Sequence, residues 1–233
     1  MKKVLLWTTP RSASTTYLQK IADDNPGMIN HKESLRTLDW GYHAHRNTDA
    51  ERKQQFKNLM RSWENPTTSN CIKMFPLMIT EPHSPWRNDS FLIEKLLPNA
   101  TDNIFLMRND FIAQVRSLAV AYYMLKQPTN SHSNFHGSWE EPFIMPDTKL
   151  VDDLVQTCNR QTYAQIFQIM TIYKNIPSSI MSNKKLIWVE DIDQSNKYHR
   201  PVVWTKEPSI VYLDVKEQFD IMLKDTPGIQ VSY

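Results

Sequence analysis

The chain has 233 residues, 40% of them apolar and 22% charged, fractions near those of ordinary soluble proteins and enough for one α/β domain. Its net charge of +2 is too small to argue for a nucleic-acid partner, so any basic chemistry has to be local. No stretch approaches the roughly 18 apolar residues of a membrane span, and with four glycines in the whole chain a backbone cradle has to be built mostly from other residues.

The first residues, Met-Lys-Lys-Val-Leu-Leu-Trp, mimic the basic start of a secretory leader, but the apolar run stops at Thr8 and Thr9, too early for export. Cys71 and Cys158 lie far apart in apolar or helical surroundings and read as two free thiols of a reducing, cytoplasmic setting. Short apolar runs bounded by polar residues or proline read as buried parallel strands at Val4–Thr8, Met28–His31, Cys71–Phe75, Asn103–Met107 and Leu186–Val189. Helical patterns fall between and after them, at Thr15–Asp24, Ala50–Trp63, Ser90–Leu97, Asp110–Leu125, Leu150–Asn175 and Lys216–Leu223. Strands alternating with helices predict a mostly parallel sheet covered on both faces, in a single domain spanning 1–233. Gln127–Thr148 interrupts the alternation with three prolines and the aromatic or imidazole residues His132, Phe135, His136, Trp139 and Phe143, and reads as a lid or acceptor loop. Ser195–Pro208 is a second irregular, aromatic stretch.

In α/β sheets ligands bind where strands end and helices begin, and a helix start offers N–H groups with about half a positive charge. The segment Thr8-Thr9-Pro10-Arg11-Ser12-Ala13-Ser14-Thr15-Thr16 sits at such a junction. Arg11 brings a cation, and Ser12, Ser14, Thr15 and Thr16 bring hydroxyls, a set suited to a tetrahedral oxyanion; the competing reading is plain helix capping by Ser14 or Thr15 with Arg11 in solvent. A nucleoside-triphosphate loop would end in Lys-Ser/Thr to hold phosphate and magnesium, and neither Ala13 nor Ser14 is a lysine.

The second junction runs Arg108-Asn109-Asp110 into a helix with Ile112, Val115, Leu118, Ala119 and Tyr122 on its apolar stripe. Asp110 or Asn109 can cap that helix. Ser117 lies off the centre of the stripe, among Ala113, Gln114, Val120 and Ala121, where small neighbours leave room for a ligand that Arg108 could also reach. A solvated serine on an amphipathic helix is the alternative.

Together "TTPRSAST" (8–15) and "RNDFIAQVRSLAVA" (108–121) resemble the sulfotransferase superfamily, which transfers a sulfuryl group from 3′-phosphoadenosine 5′-phosphosulfate (PAPS) and leaves 3′-phosphoadenosine 5′-phosphate (PAP). The pattern is similar to the bacterial branch that includes trehalose 2-sulfotransferase. Pro10-Arg11-Ser12-Ala13-Ser14-Thr15, Glu33 in "HKESL", Lys73 in "CIKMF", Arg108-Asn109-Asp110, Gln114, Ser117 and Glu190-Asp191 fall in that branch's order. The family's loop glycine is Ala13 here, which an alanine suits only where φ stays negative. Its second arginine before the aspartate is Asn109, so Arg108 lies nine residues before Ser117 and either Arg108 or Arg116 is a partner for the 3′-phosphate. No glycine-rich C-terminal phosphate motif occurs; Lys206 is the nearest basic substitute.

The resemblance implies a three-layer P-loop-like fold, PAPS as co-substrate with no metal, and in-line displacement at sulfur. It implies Pro10 to Thr16 around the phosphosulfate, Arg108 and Ser117 at the 3′-phosphate, Lys73 at the bridging oxygen or the acceptor, and Glu33 as general base. Lys73 reads otherwise as a solvated strand-end lysine. His31 is the rival base: in an extended segment residues 31 and 33 face the same side. Trp40, Tyr42, His43, His45, Trp86, His132 and Trp139 could stack on sugar rings, which suggests a carbohydrate or other small-molecule acceptor. The histidines lack zinc-site spacing. A P-loop-like nucleotide kinase and a non-catalytic nucleotide- or glycan-binding protein stay open as other readings.

Overall fold

Val4 to Thr8 are buried without a break, the pattern of a strand covered on both faces. The computed structural model describes residues 1–32, 49–76, 91–126, 142–177, 179, 183–192 and 202–224. Its strands are β1 (Lys3–Thr8), β2 (Ile29–Asn30), β3 (Asn70–Met74), β4 (Asp102–Met107), β5 (Phe143–Met145), β6 (Lys184–Trp188) and β7 (Val202–Trp204). The helices are α1 (Ser14–Asp23), α2 (Asp49–Glu64), α3 (Phe111–Leu125), α4 (Lys149–Asn175) and α5 (Val215–Lys224), with a π-helical segment at Phe91–Leu96 and a 3₁₀ turn at Val189–Asp191. All five strands expected from sequence are present, each within two residues of the expected limits at either end.

One compact unit comprises Met1–Met107 and Gln165–Val189. Its sheet has the order β2-β3-β1-β4-β6, and every pairing is parallel. Strand alternation sends Leu6, Lys73 and Asn30 to one face and Trp7, Met74, Asn70 and Phe105 to the other. Helix α1 covers the first face, where Asn30 donates to Gln19 and Lys73 to Thr15. Helix α2 covers the second, where Ser62 bonds Asn70, and so does the part of α4 that carries Tyr173. Trp7 stacks on Phe105 at 5.8 Å, and Phe105 meets Tyr173 edge-on at 4.9 Å. Leu5, Leu6, Trp7 and Phe105 are fully buried, and each such side chain contributes about 1.5–3 kcal/mol relative to exposure. This is the three-layer α/β arrangement that the alternating pattern predicts.

The other unit comprises Arg108–Ala164 and Glu190–Tyr233. It contains α3, α5, the first part of α4 and a small parallel pair, β5 with β7, in which Ile144 stands opposite Val203. Two stretches read from sequence as irregular, Gln127–Thr148 and Ser195–Pro208, therefore each contain a three-residue strand. Prolines and loop residues dominate both windows, and three residues are too few to establish an alternation. Residues 127–141 of the expected lid lie outside the described residues.

Both cysteines are buried and free, and burial pushes each thiol up to about 12, so neither is a nucleophile at neutral pH. Among the described residues no helix is long and apolar enough to cross a membrane.

Candidate functional site

The loop from Thr9 to Ala13 is held from beneath. Thr8, Thr9 and Ser12 are completely buried or nearly so. The Ser12 hydroxyl donates to the Thr9 carbonyl at 2.6 Å and accepts from the Thr8 hydroxyl. Ser12 thus spends its proton inside the loop, and what it can offer an anion is its backbone N–H. Pro10 and Ala13 are half-buried, and Arg11, Thr15 and Thr16 are exposed.

Ala13 is the N-cap of α1 and adopts φ 54°, ψ 16°, the left-handed region. The sequence reading required a negative φ here, and the structure corrects it: alanine occupies a backbone position made for glycine, at a cost of about 1–2 kcal/mol. Arg11 also has a positive φ, of 63°, while Ser12 does not, so φ changes sign at each step from Arg11 to the start of the helix. Alternation of this kind turns successive N–H groups into one concavity, an anion-binding nest. Ala13 has no side-chain acceptor, and no side chain caps α1 through it. Capping by Ser14 or Thr15 is therefore not what these residues do: Ser14 is the first helical residue and Thr15 follows in the same turn.

Lys73 reaches this helix start from β3. Its side chain is 3% exposed, its Nζ donates to Thr15 Oγ1 at 2.9 Å, and it lies 5.6 Å from the centre of the Phe75 ring. It is not a solvated strand-end lysine. Because an ammonium only donates, Thr15 Oγ1 is the acceptor and its own O–H remains a donor. Nest, helix start, Thr15 hydroxyl and Lys73 charge make a focus of positive potential within one unit.

His31 takes another direction. Its Nε2 meets Asn70 Oδ1 at 2.9 Å, on the α2 face of the sheet. The Asn70 amide donates to the carbonyls of Ser62 and Thr68, which fixes its oxygen toward the imidazole. The neutral ring therefore carries its hydrogen on Nε2. Burial lowers the His31 pKa, partly opposed by the Asn70 bond, so the ring is neutral at pH 7. Lys73 faces the opposite side of the sheet, toward α1. The extended geometry assumed for residues 31–33 also fails, because Lys32 has a φ of 51°. Glu33 itself, and with it Trp40, Tyr42, His43, His45, Trp86, His132, His136 and Trp139, lies outside the described residues.

In the other unit Arg108 is half-buried and opens the turn before α3. Asp110 caps α3, accepting the Ala113 N–H at 2.9 Å as its sequence position predicts. The Glu190 carboxylate accepts the N–H groups of Asn109, at 3.1 Å to each oxygen, and of Asp110, at 3.0 Å. Burial pushes the Glu190 carboxyl up, but those N–H groups and the Arg108 guanidinium outweigh it and hold it below the usual range. Asn109 turns its side-chain oxygen to the Lys216 N–H at 3.0 Å. Asp214 accepts the neighbouring Glu217 N–H at 2.9 Å, so two side chains satisfy the first turn of α5. An arginine has no acceptor and could not do this.

Ser117 is half-buried, and of its helix neighbours Gln114, Val120 and Ala121 are buried, so the row read as open to a ligand is largely covered. Arg116 pairs with Glu207, a partner sequence reading did not anticipate, and the Arg108 guanidinium is among the groups that hold the Glu190 carboxyl low. Lys206 lies 3.4 Å from Asp147 and 3.8 Å from Asp152. Among the described residues no three His, Cys, Asp or Glu side chains gather as a metal site would require. Compared with known proteins, the sequence matches no family model and no curated protein.

Proposed function

We propose that the protein is a sulfotransferase that moves a sulfuryl group from PAPS to an acceptor hydroxyl, on a carbohydrate or another small molecule. The observation that carries this reading is the first loop: a backbone nest from Arg11 to Ala13, at a helix start to which buried Lys73 is delivered through Thr15. A nucleoside-triphosphate loop places its lysine within the loop; here the cation arrives from a neighbouring strand. The order of the motifs along the chain, from Pro10-Arg11 to Glu190-Asp191, supports the same reading.

In this reaction the 5′-phosphosulfate rests on the nest and the first turn of α1, with Arg11, Thr15 and Thr16 at its oxygens. Glu33 takes the proton of the acceptor hydroxyl. The acceptor oxygen forms its bond to sulfur as the bond from sulfur to the bridging phosphate oxygen breaks, and PAP leaves with that electron pair. Lys73 stabilises the charge growing on the bridging oxygen. Arg108 and Ser117 hold the 3′-phosphate. His31, directed to Asn70, supports the sheet and leaves the base to Glu33.

Radiolabelled PAPS, offered with a panel of sugars, glycolipids and small alcohols, tests the reading. Label transfer is expected to at least one hydroxyl acceptor, and Glu33→Gln is expected to lower that turnover by roughly 10²–10⁴-fold with PAP affinity nearly unchanged. Tight PAP binding with no transfer to any acceptor would leave a nucleotide-binding protein. Absence of PAP binding would overturn the assignment of the loops.

A further inference from the structure

We propose that Glu190 is a positioning residue that holds Arg108 in place to receive a phosphomonoester, the 3′-phosphate of the nucleotide; this rests on the sulfotransferase reading. In a capping box the side chain three residues into a helix returns to the N–H of the cap. Helix α3 has Asp110 as cap and Ala113 at that third position, which has nothing to return. Glu190, 80 residues further along the chain, supplies the missing acceptor and takes the N–H of Asn109 as well.

Two consequences follow. First, the N–H groups of Asn109 and Asp110 already serve a carboxylate, so they are committed before any ligand arrives. A phosphate bound at this turn is therefore held by side chains, and Arg108 is the cation that the turn itself carries. Second, the Arg108 guanidinium is among the groups that hold the Glu190 carboxyl low, so the carboxylate that fixes the backbone from which Arg108 projects also feels the charge at its head. The Arg108 Nε is shielded from solvent, so the side chain is packed along part of its length and has few alternative directions.

The test compares PAP with adenosine 5′-phosphate, which lacks the 3′-phosphate, by calorimetric titration of the full chain. Glu190→Gln keeps the shape and removes the charge. It is expected to weaken PAP about tenfold and to leave adenosine 5′-phosphate within about twofold. Equal losses for the two nucleotides, or an unchanged PAP affinity, would overturn the positioning role. In parallel, the ¹⁵N resonance of Arg108 Nε is followed in the ligand-free protein. It is expected to be sharp in the wild type and broadened by exchange in Glu190→Gln; an unchanged signal also overturns the proposal. If the wild type binds neither nucleotide, the sulfotransferase reading fails and the resonance alone decides whether Glu190 holds Arg108. Should Glu190→Gln fail to fold, Glu190→Asp keeps the charge and shortens the reach, and the same outcomes apply to it.

Discussion

Lys73 Nζ donates to Thr15 Oγ1 at 2.9 Å and so ties β3 to the first turn of α1. A buried ammonium beside the positive end of a helix gains from any anion placed there. Lys73→Met is expected to weaken PAP about 10–100-fold, the loss of one charge-assisted hydrogen bond. The variant also loses the bond to Thr15, so a modest fall in Tm is expected. Titration and thermal melting check both halves, and equal PAP affinity in the two proteins would contradict the role given to Lys73.

Ala13 provides a stability test independent of ligand. Glycine adopts φ 54° without the steric cost that alanine carries, though it adds freedom to the unfolded chain. Ala13→Gly is expected to stabilise the protein by about 0.5–1 kcal/mol, and Ala13→Val to destabilise it by about 1 kcal/mol or more. Urea midpoints at constant slope measure this, and a destabilising Ala13→Gly would mean that the loop is not left-handed at this residue.

His31 makes stability depend on pH. Its folded pKa is lowered by burial, so the unfolded chain binds the proton more tightly. The contribution is then fully present above the unfolded value of about 6.5 and is lost as pH falls below it. Melting temperature is expected to drop between pH 7.5 and 5.5, and His31→Gln is expected to flatten that drop. If His31→Gln leaves the slope unchanged, another group titrates there.

Asn109 carries a stability prediction of its own. Asn109→Arg removes the acceptor for Lys216 N–H. It is expected to cost about 0.5–2 kcal/mol, the range for losing a helix cap, whereas Asn109→Asp keeps the acceptor and is expected to be nearly neutral. Chemical denaturation separates the two variants.

What could be read from sequence was what neighbours in the chain determine. β1, β3 and β4 are continuous apolar runs, and Asp110 caps the helix that follows it, so periodicity and a local side-chain bond were sufficient. What could not be read depends on residues far apart. Glu190 completes the cap of α3, Asn109 that of α5, and Asn70 sets the direction of His31, and none of these pairings leaves a spacing in the sequence. Ala113 at the third helical position was the one available hint, since a cap without its returning acid asks for an outside acceptor. Ala13 misled for another reason: the backbone there follows the loop's need for alternating φ, and alanine tolerates it at a modest energetic cost.

The order of the main sheet also bears on how the chain is made. β4 pairs with β1 on one side and with β6 on the other, yet β6 begins only at Lys184. A ribosome adding roughly 5–20 residues per second emits β6 on the order of 4–15 s after β4. Throughout that interval Asn103–Met107, an apolar edge with no partner on its outer side, is a template for pairing with another nascent chain. A chain halted between Met107 and Lys184 therefore keeps that edge uncovered, and is expected to self-associate more readily than the chain that includes β6.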